Sequence, residues 1–420
     1  MDNELIERFY ERLGVRVDFD LIEEVVMSDA NILRPVIGHA FEYLVEDIVL
    51  NKLGGKVIDA GGDYDVDLIV VDKNEIQHET QIKTLKNSDT KPNKSFAVSL
   101  HKTHGLEHRP NSLYPTTWPC PICKHSGGNF PDFLIAPHPQ GGIMIIPKHS
   151  IPESKTFSGH FADPAVFDWN SPWLNRWDLL GFPEFKGCNL ERTSVPEQPI
   201  LNKICQRVKL TYEELLNLWL KPSNFRMIDM NLKGNLREPA LRDFLEKNGL
   251  KTTPPTGSYP KYDLCCEDVK IQIKGPSSHK TNPKENLLGV EVMGSHGKGE
   301  KRRYTTSDFD YLGIAIEPQC LNANLPLDHE SYHFVFIPIE DLPLHYRNGF
   351  EWASANRLYD VANFKVVVIE GEVYLKPNSN YRKPPTWKDA KGNLIIREPV
   401  HFRNNNMYKL DYIPLDLRKK

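Results

Sequence analysis

Val66-Asp67-Leu68-Ile69-Val70 leads to Gln81-Ile82-Lys83, and Asp263 leads to Val269-Lys270-Ile271-Gln272-Ile273-Lys274. The reading of the whole chain turns on these two stretches. Both alternate apolar and polar residues as short strands do, so each aspartate and its Gln-x-Lys are expected on neighbouring strands. Side chains two apart on a strand share a face, which places Gln81 with Lys83 and Gln272 with Lys274.

Working outward, the same landmarks recur in the same order. Gly38-His39-Ala40-Phe41-Glu42 opens an apolar-periodic stretch through Leu53 that stops at Gly54-Gly55. Gly234-Asn235-Leu236-Arg237-Glu238 opens a shorter one through Leu245 that stops at Asn248-Gly249. Each predicts a helix with Gly-x-x-x-Glu at its head and a glycine stop. Glu42 precedes Asp67, and Glu238 precedes Asp263, by the same 25 positions, with Tyr64 and Tyr262 close to the aspartates. Downstream, Asp132-Phe133-Leu134-Ile135 parallels Asp310-Tyr311-Leu312-Gly313-Ile314. Ile143-Met144-Ile145-Ile146-Pro147 parallels Phe334-Val335-Phe336-Ile337-Pro338, and Ile151-Pro152 parallels Leu342-Pro343. An ordered series of matches is the mark of a duplicated unit. The expected domains are 1–200 and 201–420. Residues 152–200, rich in Pro, Trp and Phe, read as an ordered connection. Thr211 with Glu214 three residues on reads as a capping box for a helix through Leu220, leading into the second copy.

At 420 residues either half is long enough to bury its own core. Seven scattered cysteines argue against a disulfide scaffold and for a reducing cytoplasm. No run approaches the roughly 18 apolar residues of a membrane span. The acidic, amphipathic start at Met1-Asp2-Asn3-Glu4 does not read as a signal peptide. A net charge of −4 argues against a protein that coats nucleic acid nonspecifically. Local charge differs: residues 270–303 hold eight Lys/Arg against three acids, and residues 83–109 hold six against two. Each basic stretch begins at or beside a Gln-x-Lys, which favours a groove for an anionic polymer over a merely solvated loop.

Phosphodiester hydrolysis needs a positioned water and neutralised phosphate charge. A hard divalent cation held by one or two carboxylates supplies both, and a lysine on the same face orients water or stabilises the phosphoryl oxygens. A helix glutamate can hold an outer-sphere water. Glu42…Asp67…Gln81-x-Lys83 and Glu238…Asp263…Gln272-x-Lys274 resemble the PD-(D/E)XK nuclease superfamily, in particular type II restriction endonucleases, over roughly residues 35–150 and 232–345. The resemblance implies an α/β (α+β) fold, a mixed sheet flanked by helices, in two tandem copies with the site at one end of each sheet. It implies Mg²⁺ on Asp67 and Gln81, and on Asp263 and Gln272, with Lys83 and Lys274 positioning water. The departure is glutamine where an acidic residue is usual, which weakens metal binding and leaves room for one copy to be a noncatalytic reader. In the first copy Glu79 lies two residues from Gln81 and can substitute, with Asp65 adding charge; in the second the equivalent position is Lys270, which cannot. The first copy is therefore the favoured catalyst.

Pro119-Cys120-Pro121-Ile122-Cys123 follows His104 and His108, and Cys-x-x-Cys with His-x₃-His makes a candidate structural Zn²⁺ site of Cys120, Cys123, His104 and His108. His149, His279, His296, His329 and His333 show no ligand spacing, and Cys265-Cys266 reads as strand packing.

The expectation from these residues is a site-specific, Mg²⁺-dependent double-strand DNA endonuclease of the restriction type, monomeric or homodimeric. A cognate DNA methyltransferase acting on the same site would be its natural partner. The competing readings are a structure- or repair-directed nicking or junction nuclease, and a DNA-binding protein with degenerate nuclease folds. RNA processing finds no aromatic-rich platform in the sequence. Base-reading candidates are Lys298–Arg303 and the tail Arg403-Asn404-Asn405-Asn406.

Overall fold

The computed structural model describes residues 3–59, 66–86, 89–100, 114–116, 130–187, 201–224, 231–256, 261–277, 280–293, 304–343, 358, 361–378, 402 and 404–417. Tyr64, Asp65, His104, His108, Cys120, Cys123, Lys298–Arg303 and Arg403 lie outside them, and the zinc expectation with them. The chain is divided into two compact units, Met1–Phe9 with Glu23–Asn231, and Tyr10–Ile22 with Leu232–Lys420. None of the described helices is long and apolar enough to cross a membrane.

The first unit draws on part of α1 (Asn3–Leu13) and of α2 (Phe19–Ser28), and on α3 (Ala30–Asp47), then β1 (Lys56–Asp59), β2 (Leu68–Val71), β3 (Gln77–Ile82), β4 (Ser95–Val98), β5 (Phe133–Pro137), β6 (Ile143–Pro147) and β7 (Ala165–Asp168). It ends with α4 (Asn202–Val208) and α5 (Tyr212–Leu220). Its main sheet runs β1-β2-β3-β5-β6, parallel between β3 and β5 and antiparallel elsewhere. One face, with Leu68, Val70, Ile82, Ile135, Ile143 and Ile145, packs on Phe41 and Val45 of α3 and on the buried Trp177, Leu180 and Phe182. The other, with Leu134, Ala136, Met144 and Ile146, packs on the β4–β7 pair through Phe96, Val98, Ala165 and Phe167. Residues 152–187 are thus part of this unit's core, a closer integration than a connection. Thr211 and Glu214 form the expected capping box on α5, but Leu210 and Leu218 pack on Ala40 of α3. That packing explains why 201–231 belongs to the first unit, shifting the boundary past the 200/201 expected from sequence.

The second unit contains α6 (Lys233–Lys247), β8 (Thr252–Thr253), β9 (Leu264–Cys266), β10 (Val269–Lys274), β11 (Leu287–Glu291), β12 (Tyr311–Ile316), β13 (His333–Pro338), β14 (Val361–Ile369), β15 (Glu372–Pro377) and β16 (Tyr408–Lys409). Its five-stranded sheet runs β8-β9-β10-β12-β13, again with one parallel pair, β10 with β12, at the corresponding place. α6 packs against β8, β9 and β10. A second sheet, β11-β14-β15-β16, covers the opposite face, with Leu288, Val290, Ala362 and Phe364 against Leu312, Ile314, Val335 and Ile337. At Gly313 the helix packs tightly on the sheet: a Cβ there would lie 3.0 Å from Ile271 Cγ2 and 3.1 Å from Leu241 Cδ2. Both units are therefore helix, mixed sheet and second β layer, an α+β architecture.

The helix boundaries differ from the sequence reading. α3 begins at Ala30, capped by Asp29 accepting from the Asn31 N–H, so Glu42 sits in its C-terminal half and not at its head. Asp29 is an N-cap residue by type, and α3 runs on through Pro35, which lies inside the helix, so the break expected before Gly38 does not occur. α6 begins at Lys233 and places Glu238 in its second turn. The glycine stops hold: Gly54 and Gly249 both take positive φ, 68° and 81°, a conformation glycine adopts without Cβ strain.

Candidate active site

Asp67 stands one residue before the β2 ladder, and its backbone N–H donates to Thr80 O at 2.9 Å. That register sets its side chain against the end of β3. Asp67 Oδ2 accepts from Gln81 Nε2 at 2.6 Å, from the Ile82 backbone N–H at 2.6 Å and from Lys83 Nζ at 3.4 Å. The carboxylate, the amide and the ammonium thus converge on one point. Asp67 Oδ1 accepts no hydrogen bond among the described residues and is left for another partner. Gln81 is only 1% exposed, and its Oε1 accepts from the Tyr114 hydroxyl at 3.1 Å. A primary amide beside a carboxylate must turn its NH₂ toward it, because two acceptor oxygens would repel. Gln81 therefore holds Asp67 in place and spends its own oxygen on Tyr114.

His39, on α3, lies within electrostatic reach of Asp67. Burial lowers its pKa, assisted by the Lys221 ammonium and opposed by Asp67, so the imidazole is neutral near pH 7. Its Nδ1 is buried without a hydrogen-bond partner among the described residues. Glu42 is half-buried one helical turn further along α3. Glu79, paired with Ile69, is exposed and stands outside the group gathered on Asp67.

The second unit repeats the arrangement. Asp263 stands one residue before the β9 ladder, its N–H donating to Ile271 O at 3.0 Å. Asp263 Oδ2 accepts from Gln272 Nε2 and, at 2.9 Å, from the Ile273 backbone N–H. Burial raises the Asp263 pKa, while the Ile273 N–H and the Lys274 charge oppose the rise. Partial burial, then the Asp263 charge, likewise raise Glu238, so these two carboxylates repel each other across the site. Gln272, 2% exposed, shares its NH₂ with Ile273 O at 3.3 Å. Lys274 Nζ lies 5.6 Å from the centre of the Tyr304 ring, with Lys261 at 5.8 Å from the same ring. Tyr304 packs in the β layer behind β12 just as Tyr114 packs behind β5.

The structure so gathers Asp67, Gln81 and Lys83 in one unit and Asp263, Gln272, Lys274 and Glu238 in the other, while Glu42 lies on α3. Among the described residues no cluster of three or more His, Cys, Asp or Glu has metal-binding geometry. His39, Tyr114 and Tyr304 were not singled out in the sequence. His39 sits inside the quoted Gly38–Glu42 motif, whereas nothing local marks either tyrosine.

A scan of protein-family profiles finds no match, and a search of curated proteins finds none. Among solved structures the chain is similar to a bacterial homing endonuclease, I-Ssp6803I, at 18% identity with a TM-score of 0.22, over 37% of this chain and 84% of that one.

Proposed function

We propose that the chain is a metal-dependent DNA endonuclease of the restriction type, its two units diverged copies of a PD-(D/E)XK-like core. One observation carries this: in two sheets of the same strand order, an aspartate opposite a buried glutamine binds that amide and the next backbone N–H, with a lysine two residues on. A core fold alone has no need of a half-buried carboxylate and ammonium at the same register twice.

The residues fit Mg²⁺ in number and chemistry. Asp67 and Glu42, and Asp263 and Glu238, supply one or two carboxylates per site, the usual protein share for this ion. The mutual repulsion of Glu238 and Asp263 is what a divalent cation would relieve. Mg²⁺ bound there would supply Lewis-acid polarisation of the phosphate. The chain's own groups do the rest. Ile82 N–H and Gln81 fix Asp67 through Oδ2, which leaves Oδ1 for a cation. Lys83 is held beside it to orient a water and to stabilise charge on the phosphoryl oxygens. Lys274 takes that role beside Asp263. His39, neutral and with a free ring nitrogen, is placed to accept a proton in the first site.

A cognate methyltransferase protecting the same site belongs to this proposal, as does a reducing cytoplasmic setting. The test is incubation with intact phage DNA and Mg²⁺. Discrete bands, abolished by EDTA, are expected; a smear, or no scission in either Mg²⁺ or Mn²⁺, overturns the reading. A second reading draws on the Tyr114 bond to Gln81 Oε1: with that oxygen occupied, the first site has one fewer cation ligand, as in a DNA-binding protein with degenerate nuclease folds. It predicts salt-sensitive binding with no cleavage under any metal.

A further inference from the structure

Asp341 is 6% exposed, yet it is the hub of a polar cluster. It accepts from the Asn404 side chain, from Asn406 Nδ2 at 3.2 Å and from the Tyr408 hydroxyl at 2.9 Å. Asp341, Asn406 and Tyr408 of this cluster line a cavity of about 490 Å³ in the second unit, walled also by Tyr311, Tyr374 and Tyr412. The volume falls within the range typical of small-molecule sites, roughly 300–1,000 Å³. Tyr412 is 46% and Met407 44% exposed, so the wall continues into an open, apolar rim. The Asn406 backbone N–H is bonded to Asn404 Oδ1 at 2.9 Å, which fixes the loop. With Nδ2 committed to Asp341, the Asn406 side chain offers its remaining amide oxygen, which takes no donor among the described residues.

We propose that this cavity takes an unstacked nucleobase that carries an exocyclic amino group. Flat aromatic walls stack on the π-face of any base. The floor adds one acceptor that no described donor occupies, Asn406 Oδ1, and it suits a donor edge. Adenine, cytosine and guanine carry such an amino donor; thymine has only the N3–H, flanked by two carbonyls that an acceptor repels. The cavity is separate in sequence from Asp263, Gln272 and Lys274. The inference rests on nucleic acid being the substrate, and adds to it a site that holds one base of a strand.

The test uses the full chain in EDTA, so that no cleavage is required. Binding of end-labelled twelve-nucleotide oligodeoxyadenylate and oligothymidylate is followed by fluorescence anisotropy. The adenylate should bind several-fold more tightly. Tyr412→Ala, at an exposed position, should weaken adenylate binding about tenfold, the order expected for one stacked base. Asn406→Ala should erase the preference over thymidylate. Deoxyadenosine monophosphate competing as well as the strand would assign the pocket to free nucleotides, and failure to compete would assign it to a base within a strand. Tyr412→Ala and Asn406→Ala binding both oligonucleotides as the parent chain does would overturn the proposal. If phage DNA is not cut but Tyr412→Ala still weakens adenylate binding, the endonuclease reading fails and the pocket stands. If cleavage occurs and Tyr412→Ala has no effect, the reverse holds.

Discussion

At the scale of single residues, the two sites differ in what holds the glutamine. Gln81 is clamped between Asp67 and Tyr114, whereas Gln272 shares its NH₂ between Asp263 and its own neighbour's carbonyl. The clamp restrains Gln81 at both ends of its amide, a restraint not seen at Gln272 among the described residues. Lys83→Ala should lower the cleavage rate by about 100-fold or more, the effect of removing one preorganised stabilising group. Lys274→Ala measured in the same gel assay shows whether the second site cuts: nicked circles from either single variant mean that each unit cuts one strand. Tyr114→Phe deletes only a hydroxyl, leaving Gln81 Oε1 buried and unpaired. It should cost about 1–3 kcal/mol in urea unfolding. It should also slow cleavage, because the amide is then free to rotate away from Asp67.

Among the elements, β13 and the C-terminal segment are joined by an ionisable group. His333 is 4% exposed; its Nδ1 lies 2.7 Å from Asp411 Oδ2 and its Nε2 2.6 Å from Asp328 O. Acceptors on both ring nitrogens require the doubly protonated imidazolium. Burial lowers the pKa of this group, but the Asp411 hydrogen bond, the Asp328 carbonyl and the two carboxylate charges raise it more, and the balance is a raised value. A raised folded-state pKa stabilises fully below the unfolded-state value of about 6.5 and fades as pH climbs through the folded-state value. The melting temperature should therefore fall between pH 6 and pH 9. Asp411→Asn should flatten that dependence, since asparagine also tolerates the φ of 55° at this position. An unchanged slope in the variant would show that some other group sets it.

For the whole molecule, the informative feature is that sequence order and structural unit do not coincide at the N-terminus. Residues 10–22 are counted with the second unit. There the Arg16 N–H donates to Glu330 O at 2.6 Å, and the Arg16 side chain pairs with Glu330 at 3.3 Å and lies over the Tyr10 ring. Phe9, in contrast, packs in a tilted ring pair with Trp219 of the first unit, centroids 5.5 Å apart. A chain starting at Glu23 should consequently show a lowered thermal transition for the second unit. Adding a synthetic peptide of residues 1–22 should restore part of it, as read by differential scanning calorimetry.

Much of this was written in the sequence. The alternation in Val269–Lys274, the equal spacing of Glu42–Asp67 and Glu238–Asp263, and the ordered landmarks that follow foretold adjacent strands carrying aspartate and Gln-x-Lys, because strand period and ladder register are local properties. The glycine stops were legible for the same reason. Helix starts were not: the Asp29 cap lies nine residues upstream of Gly38, where the motif begins, and no local signal at Gly38 points back to it. The allegiance of α4 and α5, which pack on α3 through apolar side chains distant in sequence, was equally hidden. Tertiary structure alone brought Tyr114 to Gln81, His39 to Asp67 and Asp341 to Asn406, since burial and the partner of a lone polar side chain are fixed by contacts between segments far apart in the chain, and no local pattern encodes them.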